Sequence, residues 1–127
     1  MRFLAMQPML RTKDLMATVE FYQEMLDFSC DGLDLEEGWA SLSRDQVSLM
    51  VATPNEQMPF EKTVFTGSFY FHLDDVEALW QSLSGRVEVC YPIEDFDYGM
   101  REFAIFDNNG YLLQFGSEIE SDEEAPG

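Results

Sequence analysis

YGMREFAIFDNNGYLLQFG, residues 98–116, holds two runs of β-type residues, 102–106 and 111–115, on either side of Asp107-Asn108-Asn109-Gly110. Asn109-Gly110 is a strong short-range hairpin signal, because both residues tolerate positive φ. The second run carries a polar residue, Gln114, between Leu113 and Phe115. Side chains alternate across a strand, so Leu112 and Gln114 share one face. What the chain can do turns largely on which way that face points and what stands opposite Gln114.

Working outward, the chain goes through the same order of elements twice. Residues 6–12 read as a strand. A helix follows over 14–26, with Asp14 as its cap and Leu15, Val19, Tyr22 and Leu26 as one buried stripe. Thr18, Glu20, Gln23 and Glu24 fall on its polar face. Residues 28–33, 39–43 and 47–52 are three more strands, separated by the turn chemistry of Asp31-Gly32 and Arg44-Asp45-Gln46. In the second half, 67–73 is a strand. Asp75 then starts a helix with Val76, Leu79, Trp80 and Leu83 as its apolar positions, ended near Gly85. Strands at 87–91, 102–106 and 111–115 complete the set. An offset of 61 residues carries Gln7 onto Ser68 and Asp14 onto Asp75. The reading is α+β: one domain over 1–117, built of two tandem βαβββ modules at about 4–53 and 66–117. They are expected to form a curved mixed sheet around a cleft, with the helices on the outer face. The linker, 54–65, has Pro54, Asn55 and Pro59. The end, 118–127, reads as a disordered acidic tail.

With 127 residues, 46% hydrophobic and 14% aromatic, the chain is long and apolar enough for a core. Its formal net charge of −18 comes from 25 acidic against 7 basic residues. That makes nucleic acid a poor partner and a cationic ligand a favourable one. No apolar run reaches the ~18 residues of a membrane span, and the start lacks the apolar stretch of a signal peptide, so a cytoplasmic protein is expected. Cys30 and Cys90 are read as two buried, reduced thiols. No Gly-rich phosphate loop, nucleophile elbow or HExxH is present.

Alternation nominates the concave wall. Gln7, Met9 and Arg11 share a face of the first strand, Ser48, Met50 and Ala52 of the fourth, and Ser68, Tyr70 and His72 of the fifth. An apolar wall with a few polar points suits a small-molecule ligand. His72 is a candidate acid/base or a structural histidine. Arg11 is a candidate anion holder or one half of an ion pair. Glu102 points away from Arg101 and Phe103, to attract a cation beside the apolar wall or to form a surface salt bridge. Trp39, Phe60, Phe65, Tyr70 and Tyr98 are candidate stacking groups. Met58-Pro59-Phe60 is a candidate lid or dimer contact.

The opening QPMLRTKDLMATVEFYQEMLDF and the closing YGMREFAIFDNNGYLLQF resemble the vicinal oxygen chelate superfamily over about residues 7–116. That group includes glyoxalase I, extradiol dioxygenases, and fosfomycin- and bleomycin-resistance proteins. The segment 99–115 looks most like the bleomycin-resistance and glyoxalase-like branch. The resemblance implies one metal-ligand seat per strand on the concave wall, and these fall on Gln7, Met50, Ser68 and Gln114. Gln7 matches a ligand type of some glyoxalases. Gln114 stands where a glutamate is expected, and Met50 and Ser68 replace a carboxylate and an imidazole. Zinc takes N, S or O donors, and a thioether suits softer ions, so no metal and no cofactor are expected. The resemblance also implies a homodimer. Two functions follow. One is capture of a small, cationic or aromatic, antibiotic-like compound without chemistry, as bleomycin-resistance proteins do. The other is a glyoxalase-like lyase or isomerase with His72, helped by Glu102, as its acid/base.

Overall fold

A computed structural model describes residues 1–54 and 61–119, and the chain divides into two compact units, Met1–Thr63 and Val64–Gly127. Unit 1 contains β1 (Met9–Arg11), α1 (Leu15–Leu26), β2 (Ser29–Asp34), β3 (Trp39–Arg44) and β4 (Val47–Ala52). Unit 2 repeats that order with β5 (Phe69–His72), α2 (Val76–Leu83), β6 (Glu88–Asp95), β7 (Met100–Phe106) and β8 (Leu112–Glu118). Each is βαβββ, as the repeat requires. The sheet orders correspond, β1-β4-β3-β2 and β5-β8-β7-β6, with a parallel first pair and antiparallel hairpins after it.

Both helices start where an aspartate caps them. Asp14 accepts from the Ala17 N–H at 3.0 Å and Asp75 from the Ala78 N–H at 3.2 Å. In unit 1 the stripe Leu15, Val19, Tyr22 and Leu26 is buried, as are Leu10, Leu42, Leu49 and Val51 of the sheet on which α1 packs. Thr18 departs from its expected place on the polar face. It is fully buried, with its hydroxyl 2.9 Å from both Thr12 Oγ1 and the Asp14 carbonyl, so a satisfied hydroxyl replaces an exposed one. In unit 2, Phe103, Ile105, Leu113 and Phe115 are buried on the α2 side of the sheet, and Trp80 tilts against Phe103 at 5.0 Å.

The 107–111 turn differs from expectation in one respect. Only Gly110 takes a positive φ, +92°; Asn109 does not. The Gly110 N–H donates to the Asp107 carbonyl, and the Asp107 N–H to the Tyr111 carbonyl, which makes a three-residue loop closed by glycine. Asp107 Oδ1 takes the N–H groups of Asn109 and Tyr111, at 2.8 and 3.0 Å, so the aspartate organises the turn. The β6–β7 connection closes in the same way. Phe96 N–H donates to the Met100 carbonyl and Gly99 N–H to that of Phe96, with Gly99 at φ +84°.

Several strand limits shift. The first and fifth strands are shorter than expected, and β6 runs on to Asp95 through Pro92, which an edge strand tolerates. β8 continues through Glu118, the first residue of the expected tail; 120–127 lie outside the described residues, as do Met58, Pro59 and Phe60. The cysteines are not buried. Cys30 is half-buried, with its thiol 3.4 Å from the Gly32 carbonyl, and Cys90 is exposed at a bulge between Val89 and Tyr91. The bulge breaks the alternation that a buried Cys90 needs.

Candidate functional site

The register of unit 2 lays out two rows across the sheet. One is Tyr70–Gln114–Ala104–Tyr91 and the next is His72–Gly116–Glu102–Glu94. Small residues, Ala104 and Gly116, hold the middle of these rows, and large side chains cross above them. A Cβ on Gly116 would lie 2.0 Å from the Tyr70 hydroxyl oxygen, so only glycine lets the Tyr70 ring pass over β8. The ring thereby reaches Glu102 on β7.

Glu102 is 1% exposed and accepts three phenolic hydrogen bonds. Tyr70 donates to Oε1 at 2.8 Å, Tyr98 to Oε1 at 2.6 Å, and Tyr91 to Oε2. The Gln114 amide extends this network. Its Nε2 donates to the Tyr91 hydroxyl at 2.9 Å, and its Oε1 accepts from Ser68 Oγ at 2.5 Å. Six side chains are thus joined from Ser68 to Tyr98. Among the described residues, no lysine or arginine pairs with Glu102. Its neighbour Arg101 points to the other side of the sheet, to Asp95 at 2.7 Å and Glu77 at 3.3 Å.

Burial pushes the Glu102 carboxyl up, but the bonds from Tyr91, Tyr98 and Tyr70 outweigh it and hold the group below its ordinary value. The tyrosines move the opposite way. Burial, then the bond to Glu102, raises Tyr70 well above the usual phenol. The same two causes push Tyr91 up to about 12, against the Gln114 bond that lowers it. Tyr98 is pushed up to about 12 by its bond to Glu102 first, then by burial. At neutral pH the centre is therefore one carboxylate held by three neutral phenols.

Beside this centre lies an open pocket of about 370 Å³, lined by Tyr70, His72, Tyr98, Met100, Glu102 and Gln114. Most of its wall is apolar. His72 is exposed, its ring 4.9 Å from that of Tyr70. The Tyr98 ring stacks on Phe96 at 5.5 Å.

Residues 5–115 match the family model described as Glyoxalase/Bleomycin resistance protein/Dioxygenase superfamily. The chain belongs to this superfamily. Solved structures of the same fold include TioX from Micromonospora sp. ML1 (18% identity, TM-score 0.72, covering 91% of this chain and 100% of that one). Another is a glyoxalase/bleomycin resistance protein/dioxygenase from Nocardioides (19%, 0.74, 95% and 87%). A third is lactoylglutathione lyase from Agrobacterium tumefaciens (21%, 0.70, 90% and 92%). No curated protein matches the chain.

Metal enzymes of the superfamily would need donors at the four seats. In unit 2 the seats Ser68 and Gln114 are bonded to each other, and Gln114 spends its second bond on Tyr91. In unit 1, Gln7 Nε2 reaches Ser41 Oγ at 3.4 Å, and Met50 is a half-buried thioether paired with Met9. None of these is a carboxylate, imidazole or thiolate, so the donor set does not fit a divalent metal ion. Among the described residues, no three His, Cys, Asp or Glu side chains cluster as a metal site.

Of the residues nominated from sequence, unit 2 brings together Ser68, Tyr70, His72, Tyr98, Glu102 and Gln114. Leu112 is one row away, opposite Phe106. Gln7, Met9, Arg11 and Met50 belong to unit 1, where Arg11 donates to the Thr53 carbonyl at 3.1 Å. Glu102 forms no surface salt bridge; three phenols take that place because its side of β7 is covered. Trp39 lies over Gly32 and Phe65 stacks on Phe69. Two residues were missed, Tyr91 of the hydrogen-bonded centre and Met100 of the pocket wall. Tyr91 follows the bulge, where alternation no longer tells the face, though Pro92 beside it signals an irregular strand. Met100 begins β7 two residues before the expected start, and the Tyr98-Gly99 turn was the available signal.

Among the described residues, no helix is long and apolar enough to cross a membrane.

Proposed function

We propose that this protein captures a small cationic, aromatic compound without transforming it, binding it in the unit 2 pocket without a metal ion. The observation that carries the reading is Glu102, a buried carboxylate with three hydrogen bonds and no counter-ion among the described residues, beside a pocket with aromatic and methionine walls. Burying a charge is costly, and a structural role alone is met as well by a neutral acceptor. A ligand cation supplies the missing partner, and the acidic chain draws such a ligand in. The antibiotic-like compounds implied by the family resemblance have this character. The protein is expected to act as a homodimer in the cytoplasm, which sedimentation and cell fractionation check.

The reading is tested by calorimetry and thermal shift against cationic aromatic compounds and their neutral analogues. Cations are expected to bind and raise the melting temperature, and neutral analogues of the same shape are not. Metal analysis of protein purified without chelators is the companion measurement. About one tightly held divalent ion per chain would overturn the metal-free reading.

A further inference from the structure

Resting on that capture reading, we infer that the pocket selects cations with no N–H to donate, quaternary ammonium groups above all, over primary ammonium of the same skeleton. The argument is one of available acceptors. A carboxylate offers about four lone-pair positions. Tyr70 and Tyr98 occupy Oε1 and Tyr91 occupies Oε2. The Gln114 oxygen already accepts from Ser68, which leaves it one lone pair. A primary ammonium sheds water on entering and needs three new acceptors, while the charged acceptor has at most about one position left. A quaternary ammonium has no donor to satisfy. It requires negative charge at short range and polarisable faces, and Tyr70, Tyr98 and Met100 line the pocket around the carboxylate. The tyrosines thus leave the charge of Glu102 in place while using up most of its hydrogen-bonding capacity.

The test is calorimetric titration of the full chain with benzylammonium, its mono-, di- and trimethylated forms, and neutral neopentylbenzene. Affinity is expected to rise with each methyl group, to tenfold or more between the first and last, with neopentylbenzene far weaker than the trimethylated ion. Glu102→Gln is expected to abolish the preference for the charged ligand. Because that variant alters a buried network, Tyr98→Phe provides a second test. Tyr98 is 62% exposed, and losing its hydroxyl frees one position on Glu102, so primary ammonium should gain and the ratio narrow several-fold. Benzylammonium binding as tightly as the trimethylated ion, or an unchanged ratio in Tyr98→Phe, overturns the inference and leaves capture of cations standing. No binding by any member of the series, or neopentylbenzene binding as tightly as the trimethylated ion, overturns both.

Discussion

Units 1 and 2 share a topology, and a register apart from one extra shift between Tyr91 and Glu94, but differ in what they place at equivalent positions. The row Arg11–Ala52–Trp39–Asp34 of unit 1 corresponds to His72–Gly116–Glu102–Glu94 of unit 2. Trp39 stands where unit 2 has its buried carboxylate. The row before it, Met9–Met50–Ser41–Gly32, answers Tyr70–Gln114–Ala104–Tyr91. Unit 1 thus fills its row with a thioether pair and a serine, and unit 2 with two phenols and the amide joining one of them. One scaffold supports a face with a tryptophan at its centre in one copy and a buried, hydrogen-bonded carboxylate in the other. Backbone pairing sets the scaffold and is indifferent to side chains, whereas the centre exists only because four particular strands supply matched groups.

Truncation at the equivalent pair, Glu102 and Trp39, is expected to have the largest effect. Glu102→Ala leaves three phenols without their acceptor and is expected to cost about 3 kcal/mol. Trp39→Ala removes a half-buried ring and should cost about 1–2 kcal/mol. Denaturant unfolding measures both. Equal costs would mean that the carboxylate is no more central to its unit than the tryptophan is to the other.

Next is the small residue beside each. Gly116→Ala forces the Tyr70 ring off β8 and is expected to cost about 2 kcal/mol by overpacking. Ligand binding should weaken with it. In unit 1, Ala52→Gly costs roughly 1 kcal/mol, from backbone entropy and the loss of one buried methyl. If Gly116→Ala were as mild, Tyr70 would have another route to Glu102.

Titration sharpens the contrast further. Tyrosinate absorbance should show Tyr91 and Tyr98 ionising near pH 12, not near 10. Their raised values in the folded state give stability that is complete below pH about 10 and is lost as pH climbs through the folded values. Glu102 has the opposite sign. Its depressed value gives stability present above pH about 4.3 and lost as pH falls through the folded value. Glu102→Gln should return Tyr98 toward 10, move Tyr91 less, since burial is the larger cause of its shift, and flatten the acid limb; a Tyr98 still ionising near 12 would assign its shift to burial alone.

The smallest effect is expected from His72→Ala. Capture predicts affinity within a few-fold of the parent. The lyase or isomerase alternative predicts that turnover of any substrate found disappears with the imidazole. Affinity and product formation, measured on the same ligand, separate the two.

Much of this architecture was legible because it is local. The stripe of α1, the caps Asp14 and Asp75, and the limits of β4 follow from periodicity and capping, which need no distant partner. Alternation placed Tyr70 and Gln114 on one face, and they do stand opposite each other in register. It also set Glu102 on the side away from Arg101. Alternation gives no face for Tyr91, because the bulge between Val89 and Tyr91 shifts the side-chain period. Thr18 was misplaced for a related reason, since its partner Thr12 lies outside the helix.

Composition and short-range period are enough for two βαβββ repeats and an acidic chain, and the family resemblance added four seats of which Gln7 alone keeps a ligand type. That Glu102 is a buried centre emerges only from the fold. Its partners come from β5, from the bulged β6 and from the turn at Tyr98, and Gly116 opens the path for one of them. Hydrogen bonds between strands far apart in the chain leave no period in the sequence, so the charge and its three phenols become visible only once the sheet has brought them together.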